Sequence, residues 1–137
     1  MNIKDSINIL GKKARVASVE IRTLNSDNKK FAYECLEKNI KNKANDILSA
    51  NKIDIENAIN NGLPKPLINR LKLNDGSIFN LVKSIVEIKN QPEPIGKILE
   101  EWRQPNGLKF SKVSVPLGVL GVIYESRPNV TIDASCL

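Results

Sequence analysis

The sequence predicts an α/β fold, and three observations predict it. Residues 1–97 carry apolar side chains at steps of three and four, the period of helices that pack along one face. Residues 98–115 lose that period around an Asn106-Gly107 pair, the signature of a β-hairpin. Residues 119–124 are apolar or β-branched without polar alternation, with Gly121 inside the run. That is the pattern of a strand covered on both faces, as in a parallel sheet with helices above and below.

The helices follow in order. Ile3, Ile7, Leu10, Ala14 and Ala17 place one helix over 3–21, and Gly11 weakens it by about 1 kcal/mol against alanine. Leu24-Asn25-Ser26-Asp27 breaks the pattern, and Ser26 or Asp27 can cap the next helix by accepting from a free amide. That helix has one continuous apolar face: Phe31, Ala32, Cys35, Leu36, Ile40, Ala44, Ile47 and Leu48. Asn51 is expected to end it in a left-handed cap. Asp54 then starts a short helix over 55–60, which Gly62 closes by the same device. Pro64 and Pro66 lead into another short helix with Leu67, Ile68 and Leu71 inward and Asn69-Arg70 on its polar side. Asn74-Asp75 caps a helix over 76–89, with Ile78, Leu81, Val82, Ile85, Val86 and Ile88 keeping the helical step.

Pro92 and Pro94 end the helical part. Residues 98–103 and 108–115 read as two strands about Gln104-Pro105-Asn106-Gly107. Their alternation is imperfect, which predicts a bulge. A lone two-stranded hairpin is marginal in water and requires a surface to lie on.

Composition sets the bounds. The chain has 137 residues, 41% hydrophobic and 26% charged, which is globular and enough for one ordinary core. No stretch approaches the ~20 apolar residues that span a bilayer, and the N-terminus has no signal-peptide layout. This points to a cytoplasmic protein without membrane partners. The sequence contains no histidine and two distant cysteines, Cys35 and Cys136. That excludes a disulfide framework, a histidine-based metal site and any Cys–His or Ser–His–Asp arrangement within the chain. The net charge of +6 is spread over dispersed lysines, and aromatics are only 4%, which argues against nucleic acid as a partner.

The chemistry-bearing stretch is 116–130. After the apolar run the chain drops into Glu125-Ser126-Arg127-Pro128-Asn129. In open α/β sheets, ligands bind beyond the carboxyl ends of the strands. Arg127 can meet a phosphate or carboxylate in a planar fork, and Asn129 offers an amide donor. A helix is expected from Val130 onward. Arg127 on a loop is more often a solvated charge than a ligand.

These residues resemble a family. Trp102, Asn106-Gly107-Leu108, Val115-Pro116-Leu117-Gly118-Val119 and Val122-Ile123-Tyr124-Glu125-Ser126-Arg127-Pro128-Asn129-Val130-Thr131 are similar to gamma-glutamyl phosphate reductase, also called glutamate-5-semialdehyde dehydrogenase, of the aldehyde dehydrogenase superfamily. The similarity continues upstream through Leu48-Ser49-Ala50-Asn51, Ala58, Gly62-Leu63, Asn69-Arg70-Leu71 and Pro94-Ile95-Gly96.

The resemblance implies the N-terminal part of an aldehyde dehydrogenase-like fold. Residues 1–97 would be the helical part of its cofactor-binding domain. Residues 98–115 would be a hairpin used in oligomerisation, in a homo-oligomer of the full-length enzyme. Residues 116–137 would hold the first strand of a Rossmann-like sheet, the loop and a helix start. The implied reaction is NADPH-dependent reduction of L-glutamyl 5-phosphate to L-glutamate 5-semialdehyde with release of phosphate, the second step of proline synthesis from glutamate. A cysteine thiolate attacks the acyl phosphate and hydride then reaches the thioester.

By the same resemblance Asn129 stands where such enzymes place an oxyanion donor. Glu125, Ser126 and Pro128 pass the nicotinamide ribose; Ser126-Arg127-Pro128 stands in place of the proline and tryptophan that precede the asparagine in ordinary aldehyde dehydrogenases, and Arg127 would meet the substrate's phosphate or carboxylate. The catalytic cysteine belongs to a separate domain outside this chain, and Cys136 matches a packed helix position instead. The chain thus reads as an N-terminal portion, inactive alone. A self-contained helical interaction module without catalysis is the alternative from another class.

Overall fold

The computed structural model describes residues 2–137. Six helices and one antiparallel hairpin follow in the order α1 (Ile3–Ile21), α2 (Ser26–Asn42), α3 (Ala44–Asn60), α4 (Lys65–Leu71), α5 (Asp75–Lys89), β1 (Ile98–Arg103), β2 (Lys109–Val113) and α6 (Pro128–Cys136). They fall into two compact units. One contains residues up to Ser26 with Pro92–Gly121; the other contains Asp27–Gln91 with Val122–Leu137.

In the first unit, α1 is capped by Asn2, whose side chain accepts from the Lys4 amide at 3.2 Å. It buries none of its residues, and Ile3, Ile7, Leu10 and Val16 all stand exposed. The hairpin pairs Trp102 with Phe110 across the strands, and their rings stack at 5.6 Å between centroids. The expected bulge lies between Ile98 and Glu100. In the turn the Gly107 amide donates to the Gln104 carbonyl at 2.9 Å, and only Gly107, at φ +86°, uses the left-handed freedom that both turn residues could have taken. Lys109 sits 2.9 Å from Glu101, and the Ser111 hydroxyl donates to the same carboxylate.

The second unit holds the core. Ile40, Ile78, Leu81, Val82, Ile85 and Cys136 cluster, with Tyr33, Leu36, Ala44, Ile47, Leu48, Ile88 and Ile132 packed around them. Ile85 is fully buried. The helix expected to run to residue 48 is in fact two, broken at Lys43, whose φ of −102° and ψ of 13° leave the helical well. The break lets Leu36 and Ile40 of α2 and Ala44, Ile47 and Leu48 of α3 all reach one core.

Asn51 does not cap a helix. It lies within α3 and is 4% exposed. Its amide donates to the Leu71 carbonyl at 2.9 Å, and its carbonyl oxygen accepts from the Leu73 amide at 2.8 Å. It therefore satisfies main-chain groups left unpaired at the end of α4 and in the link to α5. Consequently α3 runs through 51 to Asn60, and no separate helix starts at Asp54. Gly62 takes φ +70° after α3, as expected of a helix stop. Asn74 caps α5 with a full capping box: its side chain accepts from the Ser77 amide at 2.8 Å while the Ser77 hydroxyl accepts from the Asn74 amide at 3.1 Å.

Cys35, which the periodicity puts on the apolar face of its helix, is exposed. Residues 119–124 differ more. They form no strand among the described residues, and Val119, Leu120, Val122, Ile123 and Tyr124 are all exposed. A strand is held by hydrogen bonds to a neighbouring strand, and the hairpin β1–β2 is the sole sheet of the described residues. The apolar run is present without the pairing and the cover that its composition anticipates.

Asn51→Ala should destabilise the protein by about 1–3 kcal/mol, because two main-chain partners lose their hydrogen bonds in a buried setting. Ile85→Ala should cost about 2–5 kcal/mol through cavity formation. Denaturant unfolding followed by circular dichroism measures both; a loss under ~0.5 kcal/mol for Asn51→Ala would show that water replaces its contacts.

Candidate functional site

The polar loop after the apolar run has an unusual backbone. Ser126 adopts φ 51°, the only left-handed non-glycine residue described. For a side chain with a Cβ this costs on the order of 1–2 kcal/mol, so the surroundings must hold it there. Such outliers cluster at functional sites. Nothing in the sequence announced this one, since no glycine marks the position. Around it Glu125 and Arg127 are exposed, while Ser126 and Pro128 are half-buried.

Helix α6 starts at Pro128, two residues earlier than the periodicity predicts, with Arg127 as its N-cap residue. Proline suits a first helical turn because its missing N–H would be unpaired there anyway. Asn129 thereby lies in the first turn of a helix instead of on a free loop. Its amide donates to Asp133, one turn on, at 3.2 Å. The Tyr124 and Thr131 hydroxyls are 2.6 Å apart and tie the approach of the loop to α6.

Helix α6 is fixed at its far end. Cys136 is buried in the core, Ile132 packs beside it, and the Tyr33 hydroxyl donates to the Cys136 carbonyl at 2.8 Å. Burial pushes the Cys136 thiol above its ordinary value, and the negative charge of Asp133 adds to the effect. A thiol held protonated is a poor nucleophile. The structure therefore agrees with the packing role expected for this cysteine.

Asn129 and Asp133 open onto a cleft of about 250 Å³ in the second unit, also lined by Arg70, Lys72, Ser77, Asn80 and Ser84. Of the five residues proposed from sequence, Asn129 alone lines it; Glu125, Ser126, Arg127 and Pro128 do not. The sequence puts Arg70 only on the polar side of its helix, and Lys72, Ser77, Asn80, Ser84 and Asp133 carry no signal of their own. Their convergence depends on how α4, α5 and α6 meet. Among the described residues no group of three or more Cys, Asp or Glu side chains could hold a metal ion, and no helix is long and apolar enough to cross a membrane.

With this geometry in view, the comparisons with known proteins are specific. The fold is that of the N-terminal part of a reductase. The crystal structure of gamma-glutamyl phosphate reductase from Thermotoga maritima matches with a TM-score of 0.86 and 35% identity, over 92% of this chain and 30% of that one. The same enzyme from Saccharomyces cerevisiae matches with a TM-score of 0.85 and 32% identity, over 91% and 32%. Among sequences, gamma-glutamyl phosphate reductase of Bartonella bacilliformis is 44% identical over 129 residues, 94% of this chain and 31% of that protein. That of Clostridium tetani is 41% identical over 127 residues, 93% and 30%. No family model matches. The chain is homologous to gamma-glutamyl phosphate reductase over nearly its whole length, and it spans about 31% of the length of the curated relatives it matches.

In native buffer at pH 8, a thiol reagent should modify Cys35 readily and leave Cys136 largely unreacted, with unfolding in denaturant making both react alike. Mass spectrometry of the labelled peptides reads the result, and equal native rates would contradict the burial of Cys136.

Proposed function

We propose that this chain forms the N-terminal part of a cytoplasmic reductase that converts L-glutamyl 5-phosphate to L-glutamate 5-semialdehyde with NADPH. The observation that carries the reading is the match to the Thermotoga maritima reductase, at 35% identity over 92% of the chain. Bound NADPH supplies the hydride. The remaining chemistry asked of this chain is binding, orientation and charge stabilisation.

Asn129 is the oxyanion donor. Its amide has two N–H groups, and one is directed to Asp133 at 3.2 Å. That contact fixes the plane of the amide and leaves the second N–H for the oxygen that becomes negative as the acyl carbon turns tetrahedral. A preorganised donor of this kind contributes roughly 3 kcal/mol at the transition state. The nucleophilic cysteine comes from outside these residues, consistent with the protonated, buried state of Cys136.

Arg127 is exposed beside this donor in sequence and keeps its fork free for the phosphate or carboxylate of the substrate. Glu125 and Ser126 fit the nicotinamide ribose, because a carboxylate and a hydroxyl pair with sugar hydroxyls. Pro128 holds the main chain at the start of α6 beneath them. The left-handed turn at Ser126 supports a site here, since strain of this kind persists where function requires it.

The hairpin serves the homo-oligomer of the complete enzyme. Leu99, Trp102, Leu108, Phe110 and Val113 are all exposed on it, and a two-stranded ribbon gains stability when such side chains find cover.

A reductase whose N-terminal part is this chain should restore growth of a proline auxotroph lacking the enzyme. In that reductase Asn129→Ala should lower kcat by about 100- to 1,000-fold with little change in KM. Arg127→Ala should raise KM for the acyl phosphate. Unchanged KM would remove Arg127 from the site, and unchanged kcat would remove Asn129.

A further inference from the structure

The cleft beside Asn129 has a composition that packing does not require. Where two helices meet, the contact ordinarily fills with apolar side chains. On α5 the residues Ser77, Asn80 and Ser84 instead line a polar stripe beside the buried Ile78, Leu81, Val82 and Ile85. On α6 the facing residues are Asn129 and Asp133. Arg70 at the end of α4 and Lys72 just after it add two cations. Neither takes part in an ion pair of the described residues, although lysines elsewhere in the unit pair with Glu34, Glu37, Asp46 and Glu87.

The lining is thus amphoteric: two unpaired cations, one half-buried carboxylate and several neutral hydrogen-bonding groups. That set suits a small zwitterion better than an anion or an apolar chain. At about 250 Å³ the cleft lies just below the ~300–1,000 Å³ usual for drug-sized ligands, which is the range of an amino acid.

We propose that this cleft binds the α-amino-acid end of the substrate, with Arg70 taking the α-carboxylate and Asp133 the α-ammonium. The proposal rests on the reductase reading above and adds the residues that select a glutamyl chain among acyl groups. A guanidinium fork fits a carboxylate in two parallel hydrogen bonds. Asp133 has acceptor capacity beyond the Asn129 amide, because an ionised carboxylate offers about four lone-pair sites. The ammonium and the amide then share one carboxylate. The correct substrate, once seated, is registered against the same group that orients the oxyanion donor. Substrate selection and donor alignment are coupled through Asp133.

The test uses a reductase whose N-terminal part is this chain, assayed in the oxidative direction with phosphate and NADP. Three aldehydes are compared: L-glutamate 5-semialdehyde, 5-oxopentanoate, which lacks only the amino group, and pentanal, which lacks both charged groups. Arg70→Gln should lower kcat/KM about tenfold for the two carboxylates relative to pentanal, with the loss in KM. Asp133→Asn retains a side-chain acceptor for Asn129. It should lower kcat/KM about tenfold for the semialdehyde relative to 5-oxopentanoate. Arg70→Lys should recover part of the loss, and melting curves confirm that each variant folds. An equal effect on all three aldehydes, or none on any, overturns the proposal. An unsubstituted enzyme inactive on the semialdehyde overturns the reductase reading itself, before any variant is compared.

Discussion

The seating of α6 on the core is the contact on which the candidate site depends. This helix has nine residues, too few to be stable in water by its own hydrogen bonds. It persists because Cys136 and Ile132 pack against the cluster around Ile85, and because Tyr33 holds the Cys136 carbonyl. Everything at the amino end of α6 inherits its position from this carboxyl end. The first turn carries Asn129, and the left-handed Ser126 precedes it. Apolar burial at one end of a short helix thereby fixes a polar group at the other.

Much of this architecture was legible in the sequence. The three-four spacing of Ile78, Leu81, Val82 and Ile85 identified the buried face of α5, and Asn74 identified its cap. Gly62 and the hairpin with its bulge were readable for similar local reasons. What local rules missed depended on distant partners. Asn51 resembles a helix stop, yet its side chain serves the main chain at Leu71 and Leu73, some twenty residues away. Cys35 lies in the apolar stripe of α2, but the core takes Tyr33, Leu36 and Ile40 of that helix and leaves Cys35 outside it. The run 119–124 shows the same limit: apolar composition records that cover is favourable and not which segment supplies it.

The site divides along the same line. Asn129 is proposed from the resemblance of its neighbours, and the structure adds its hydrogen bond to Asp133. The cleft was illegible because Arg70, Asn80 and Asp133 come from three helices. Only packing brings them to one place. Ser126 was illegible for a different reason: any residue can be forced into the left-handed region if its surroundings require it, and a serine carries no mark of that.

The two polar duties of α6 also explain why its cysteine and its asparagine cannot serve one reacting atom. Asn129 and Cys136 are seven positions apart, about 10 Å along a helix axis at roughly 1.5 Å per residue. An oxyanion donor must lie about 3 Å from the oxygen it stabilises, and that oxygen is bonded to the carbon under attack. Cys136 is too far along the helix, is enclosed by the core, and is kept protonated by burial and by Asp133. Asp133, which accepts from the Asn129 amide, therefore also disfavours ionisation of the Cys136 thiol.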